Sequence, residues 1–269
     1  MALIQTPRGR FFYAEAGSSG PVLYLLHGLT SNHHTWDKVT GPLAEAGFHL
    51  FAFDMRGHGK SDWPDSGYTP GDHGKDVGAW VEVLGHEKLH VAGHSTGGRN
   101  ALTFAGLFPE KTLSLTIVDQ TLIADPGSWK KYHKRYSEYP VPFADEKALD
   151  EFLGLKFPGH PRRFAYYKSQ FEPKENGHWS WNFSTQAAWE TQRLGRVKDS
   201  FDWLAKVQCP ALFIKGADSG YVSMEEALRI EKGFPKGRLA VVERAEHAVQ
   251  LDNPEGFLDV FIPFLREVG

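Results

Sequence analysis

The chain is poor in cysteine. Cys209 is the only one among 269 residues, so an internal disulfide is excluded and the fold must stand on its core. Cys209 precedes Pro210 at the start of an apolar run, which reads as a small buried filler rather than a reactive thiol. Charge imbalance is also small. Lys and Arg number 30 against 33 Asp and Glu, a net charge of −3, which leaves no basic footprint for nucleic acid. No run approaches the roughly 18 apolar residues of a membrane span. The opening residues, Met1 to Arg8, lack the apolar stretch of a secretory signal. These absences lead to the expectation of a soluble cytoplasmic protein, monomer or homodimer. Metal-ligand patterns are missing too: there is no HExxH and no Cys/His cluster, and the adjacent His33 and His34 point apart on regular structure. Without a dinucleotide fingerprint or phosphate loop, neither metal nor cofactor is expected.

What is present suits a large core. Hydrophobic residues make up 41% and charged residues 23%, enough for one large α/β domain or two small ones. Short apolar runs alternate with helical patterns, the rhythm of a mostly parallel sheet covered on both faces. Strands are expected at 11–15, 22–26, 50–54, 89–92, 113–118, 211–214 and 239–242. Ser223-Met224-Glu225-Glu226 reads as a capping box, and Asn253-Pro254 as the start of the last helix. Pro263 should kink or end that helix.

The rhythm breaks between about Leu122 and Lys206. More than half of the chain's eight tryptophans and nine tyrosines fall there, among them Trp129, Tyr132, Tyr136, Tyr139, Trp179 and Trp181. No strand is evident in this stretch. It reads as a mostly helical cap (122–206) inserted between two parts of a core domain (1–121 and 207–269). Most of its aromatics should form the cap's own core, and a few should wall the substrate site.

Gly93-His94-Ser95-Thr96-Gly97 carries the chemistry. A strand-like run, 88–92, precedes it and a small-residue helical run follows, the context that makes GxSxG a nucleophile elbow. The glycines let strand and helix approach closely, leaving the Ser95 hydroxyl exposed at the end of the sheet. A serine hydroxyl needs a base and a group that orients the base. His247, after the last strand run, is the expected base. Two aspartates at strand ends could orient it: Asp119, the preferred acid, and Asp218, the alternative. Either keeps the chain order Ser, Asp, His. An oxyanion hole is expected from the backbone amides of Leu29 and Thr96, with the His27-Gly28 turn turning the Leu29 amide inward.

Five segments in order make the chain resemble an α/β-hydrolase over nearly its whole length. They are LLHGLTSNHHTW (25–36), FAFDMRGHGKSD (51–62), VAGHSTGGRNAL (91–102), ALFIKGADSGYVS (211–223) and ERAEHAVQLDNPEGF (243–257). The resemblance implies a mostly parallel, eight-stranded sheet flanked by helices, with the cap inserted after strand six. It makes Asp54 to Ser61 a structural turn. Many members place the acid four residues after the glycine matched here by Gly216. That position is Gly220, so the chain departs from the pattern. Other members carry the acid after strand six, where Asp119 stands. Ser219 would then support the imidazole as an extra hydrogen-bonding partner, and His27, Gly28 and His94 would support the site.

A serine at the elbow excludes the aspartate-nucleophile mechanisms of haloalkane dehalogenases and epoxide hydrolases of this fold. The leading expectation is a carboxylesterase for short to medium acyl chains, with a small-molecule ester as partner. Hydrolysis of lactones, thioesters or carbon–carbon bonds, or a lyase reaction, is the alternative. Arg99 resembles the Gly-Gly-Arg of menaquinone-pathway members, although a solvated helix arginine is the plainer reading. A slow-turnover ligand sensor of the same fold is the expectation from another class.

Overall fold

The computed structural model describes residues 1–268, the side chains of Arg162 and Arg163 excepted. An N-terminal hairpin, β1 (Ala2–Thr6) and β2 (Gly9–Ala16), leads into β3 (Val22–Leu26), α1 (Asp37–Glu45) and β4 (His49–Phe53). Then follow α2 (Pro70–Leu84), β5 (Leu89–His94), α3 (Thr96–Leu107) and β6 (Thr112–Val118). After β6 the chain leaves the sheet. It forms α4 (Ser128–Ser137), α5 (Glu146–Lys156), α6 (Pro161–Lys168), a ribbon of β7 (Phe171–Pro173) and β8 (Trp179–Trp181), and α7 (Thr185–Gly195). It returns through β9 (Ala211–Gly216), α8 (Met224–Gly233), β10 (Gly237–Val242), α9 (Val249–Asp252) and α10 (Pro254–Val268).

The main sheet has eight strands in the order β1-β2-β4-β3-β5-β6-β9-β10. β1, β2 and β4 pair antiparallel, and every pair from β4 through β10 is parallel. The order runs one way from β3 to β4 and the other way from β5 onward. The gap between the ends of β3 and β5 is therefore the topological switch point, where open α/β sheets bind ligands.

Both faces of the sheet are covered, which is why strands such as β3, Val-Leu-Tyr-Leu-Leu, are continuously apolar. Trp80, Phe104, Phe213 and Ile230 lie in the core on the α2, α3 and α8 side. Trp36, Leu43, Phe257 and Phe261 pack on the α1 and α10 side. A third apolar cluster holds the segment between β6 and β9 together: Tyr136, Tyr139, Phe143, Leu153, Phe171 and Trp181. Leu29, from the turn after β3, packs into this third cluster. That segment also docks onto the 54–61 turn, where Gly59 N–H donates to Asn182 O at 2.6 Å and Ser184 N–H to Gly57 O at 2.8 Å.

Four expectations are corrected. The first strand, β1, lies outside the seven runs read from the sequence; half-exposed residues such as Ala2 and Leu3 blur its alternation. The stretch between β6 and β9 contains the short β7–β8 ribbon, too brief to leave a periodic signal. Helix α10 runs through Pro263, with Phe257 and Phe261 before it and Phe264 and Leu265 after it all buried against the sheet. Ser223 does cap α8, accepting the Glu226 N–H at 3.1 Å. The Glu226 carboxylate instead turns away, accepting Thr121 Oγ1–H at 2.8 Å and Leu122 N–H at 2.7 Å.

Candidate active site

The turn between β5 and α3 is sharp. Ser95 has φ 53° and ψ −126°, a conformation a non-glycine residue adopts only when its surroundings enforce it. They do so through close backbone approach. A Cβ on Gly93 would run into the Gly97 carbonyl, and one on Gly97 into the Leu26 and His27 carbonyls. Ser95 N–H donates to Val118 O at 2.9 Å, tying the elbow to the end of β6. The hydroxyl is thus presented at the switch point.

His247 comes from the loop between β10 and α9. Its Nε2 lies 3.1 Å from Ser95 Oγ, and its Nδ1 lies 2.8 Å from Asp119 Oδ2. Asp119 directly follows β6, is fully buried, and takes φ 47°. It also accepts Ser219 Oγ–H at 2.6 Å on Oδ2 and the Gly216 N–H at 3.3 Å on Oδ1. Those bonds leave its carboxylate acceptor-only, so the His247 Nδ1 carries a proton and Nε2 faces the serine with its lone pair. Asp218 is elsewhere. It is exposed, and its backbone N–H is used on Ala245 O at 3.0 Å. Of the two candidate acids, Asp119 is the one that touches the imidazole.

The imidazole is also held from both sides. The Tyr221 ring centroid lies 4.3 Å from that of His247, and the His94 ring 4.8 Å. His94 Nε2–H donates to the carbonyl of His247 at 2.9 Å. Burial, with His247 close by, pushes the His94 imidazole down to about 3, so it is neutral and has one proton to donate.

The turn after β3 lies against the elbow. A Cβ on Gly28 would meet Ser95 Cβ at 3.3 Å and His94 Nδ1 at 3.0 Å. Room for these side chains explains the glycine, whereas the positive φ of this turn falls on Thr30, at 60°. The turn is clamped by two buried imidazoles. His58 Nε2 accepts the Thr30 N–H at 3.2 Å, and His27 Nε2 accepts the Met55 N–H at 2.9 Å. Burial first, and for His27 also the neighbouring His58, pushes these rings down, His58 to about 4 and His27 to about 3. The Ser31 N–H is taken by Gly28 O, whereas the Leu29 N–H has no acceptor among the described residues. Thr96 is the first residue of α3, where N–H groups have no acceptor within the helix.

His33 and His34 go to different carboxylates. His33 bonds Asp54 at 2.7 Å in the core, and His34 bonds Asp37 at 2.7 Å on the surface. Arg99 departs from the sequence expectation. It is 2% exposed, donates from Nη2 to Thr121 O at 3.0 Å, and its buried Nε has no hydrogen-bond partner among the described residues. Tyr221 has no signal in the sequence, since a lone aromatic carries no motif. Glu226 reads there only as part of a capping box, whereas its carboxylate turns to Thr121 and Leu122.

Strand, elbow, switch-point turn and strand-end aspartate together define a hydrolase built on this sheet. The chain belongs to the alpha/beta hydrolase fold family, whose model matches residues 21–254. It is 27% identical to a 2-(acetamidomethylene)succinate hydrolase of Mesorhizobium japonicum, over 92% of this chain and 88% of that one. It is 26% identical to an esterase of Mycobacterium tuberculosis, over 91% and 82%. A solved structure of an E-2-(acetamidomethylene)succinate hydrolase superposes with a TM-score of 0.85 at 26% identity, covering 98% of each chain. Such a hydrolase acts on a small molecule. Among the described residues no helix is long and apolar enough to cross a membrane.

Proposed function

We propose that the protein is a serine carboxylic-ester hydrolase. The observation that carries this reading is the unbroken chain from Ser95 Oγ through His247 to Asp119, at 3.1 and 2.8 Å. Ser95 Oγ attacks the acyl carbonyl, and its proton passes to His247 Nε2. The carbonyl oxygen becomes an oxyanion held by the amides of Leu29 and Thr96, at a helix N-terminus that favours negative charge. When the carbon–oxygen bond breaks, the leaving alcohol takes the proton from His247. Water then gives a proton to His247 and attacks the acyl-serine, and the acid leaves as His247 returns that proton to Ser95 Oγ. Asp119 holds the imidazole in one tautomer and stabilises its charged form, and Ser219 holds Asp119. Residues 122–206 act as a cap over this site and select the acyl group.

A p-nitrophenyl ester series from acetate to octanoate, with Ser95→Ala as control, tests the reading. Turnover peaking at short to medium chains and lost in the variant supports it; turnover surviving in Ser95→Ala rules it out. A second reading keeps the same residues but moves the acyl bond to another small metabolite. The relative named 2-(acetamidomethylene)succinate hydrolase favours it, because a serine nucleophile with an oxyanion hole attacks acyl carbonyls whatever the leaving group.

A further inference from the structure

Beside the acid end of the Ser95 site, one face of α4 and the N-terminus of α8 border an open cleft of about 510 Å³. Its wall carries three cations, Lys131, Arg135 and Arg196, and two carboxylates, Asp125 and Glu226. The cations outnumber the carboxylates by one. Glu226 is buried as a carboxylate that accepts from Thr121 and Leu122. Asp125 forms only a loose ion pair with Arg196 at 3.9 Å, and Arg196 also donates to Ile123 O at 3.4 Å. Arg135 has tyrosines rather than acids around it: the Tyr132 ring at 5.6 Å, with Tyr136, Tyr166 and Tyr167 nearby.

A fourth cation lies behind the same wall. Arg99 is anchored on the carbonyl of Thr121, which lines the cleft. Its charge acts on Tyr132, Arg196, Tyr221 and Glu226, all four of them lining residues. Glu226 is the one carboxylate among these, and the Arg99 Nε–H has no acceptor among the described residues, so a second anion in the cleft would add to a field that is already partly balanced. The cleft also adjoins the chemistry, because Tyr221 lines it and packs on the His247 ring.

We propose that this cleft is a carboxylate subsite, so that the substrate is a small acyl compound bearing a free carboxylate gripped by Arg135 and Arg196. Guanidinium groups suit this role because their paired N–H groups match both carboxylate oxygens. Lys131 adds a more mobile charge at the rim. The assignment rests on the acyl-hydrolase reading of Ser95, with the carboxylate in the cleft and the acyl carbonyl at the serine.

Two measurements test it and separate its failure from that of the ester reading. The first is calorimetric titration of folded Ser95→Ala protein with monomethyl glutarate, using dimethyl glutarate as neutral control. Saturable binding of the monoester alone is expected, weakened about tenfold or more by adding Arg135→Gln or Arg196→Gln, as for loss of one charge-assisted pair. The second compares kcat/KM for p-nitrophenyl hemiglutarate and p-nitrophenyl valerate. An anion preference of about tenfold or more is expected, shrinking through KM in either arginine variant. Arg135 is exposed, so that variant tests the subsite without disturbing the core. Monoester binding without turnover of any ester would keep the subsite and remove the ester reading. Ser95-dependent turnover with no anion binding or preference would overturn the subsite, as would binding indifferent to both arginines.

Discussion

Ser219 Oγ donates to Asp119 Oδ2 at 2.6 Å, the same oxygen that takes the Nδ1–H of His247 at 2.8 Å. On the proposed mechanism, Ser219 therefore fixes the direction of the carboxylate that orients the base. Replacing Ser219 with Ala should lower kcat about tenfold, the cost of one charge-assisted hydrogen bond, and leave KM nearly unchanged. Steady-state kinetics on a short-chain ester checks this. A KM-only effect would place Ser219 in substrate binding instead.

The two aspartates separate cleanly by substitution. Asp119→Asn should lower kcat by about 10⁴-fold, as in serine protease triads where the wrong imidazole tautomer is trapped. Asp218→Asn should change it by less than about twofold, since exposed substitutions away from special features cost little. Comparable losses in both variants would show that the strand-six position does not hold the acid.

On the proposed mechanism, His94 positions the base. Its Nε2–H holds the backbone carbonyl of His247, while its other side lies against Gly28. His94→Ala should preserve the Ser95 elbow but let the His247 loop drift. A displacement of about 1 Å costs up to about 10²-fold in rate. The expected signature is a fall in kcat with slower labelling of Ser95 in protein that remains folded, beside a lowered melting temperature from the cavity the ring leaves.

Much of this architecture is legible in the chain, for physical reasons that differ by element. The elbow is visible because close backbone approach demands glycine at positions 93 and 97, which leaves a fixed pattern around Ser95. Strand β3 and the first four residues of β9 are visible because burial on both faces makes them continuously apolar. Other features leave no such trace. β1 is half exposed, and the β7–β8 ribbon is held by Phe143, Phe171 and Trp181 packing rather than by periodicity. Backbone donors have no side-chain signature, so the amide of Leu29 is inferred only from its turn. The burial of Arg99 depends on α7, where Gly195 leaves room for the guanidinium, and a helix-face pattern cannot reveal a contact nearly a hundred residues away. Asp119 and Asp218 both follow strands; only the loop geometry that turns Asp218 outward distinguishes them.

Stability should fall in mild acid. His27, His58 and His94 are buried with pKa values pushed down to about 3, 4 and 3, against 6.5 for an exposed imidazole. Above pH 6.5 neither folded nor unfolded chain protonates them. Between pH 6.5 and about 4 the unfolded chain binds protons that the folded chain refuses, so unfolding is favoured progressively. Each ring contributes on the order of 1 kcal/mol per pH unit in that window. Urea midpoints should be flat from pH 7 to 8 and drop steadily from 6.5 to 4.5. A midpoint that rises on acidification would contradict the neutral, buried state of these rings.

The most direct test of the account is covalent labelling with a fluorophosphonate probe, followed by peptide mass spectrometry. Attack by Ser95 Oγ forms the oxygen–phosphorus bond and expels fluoride. The account predicts one label per chain, on the peptide containing Ser95, formed slowly in His247→Gln and absent in Ser95→Ala. A folded wild-type protein that stays unlabelled, or carries the label on another residue, would contradict it.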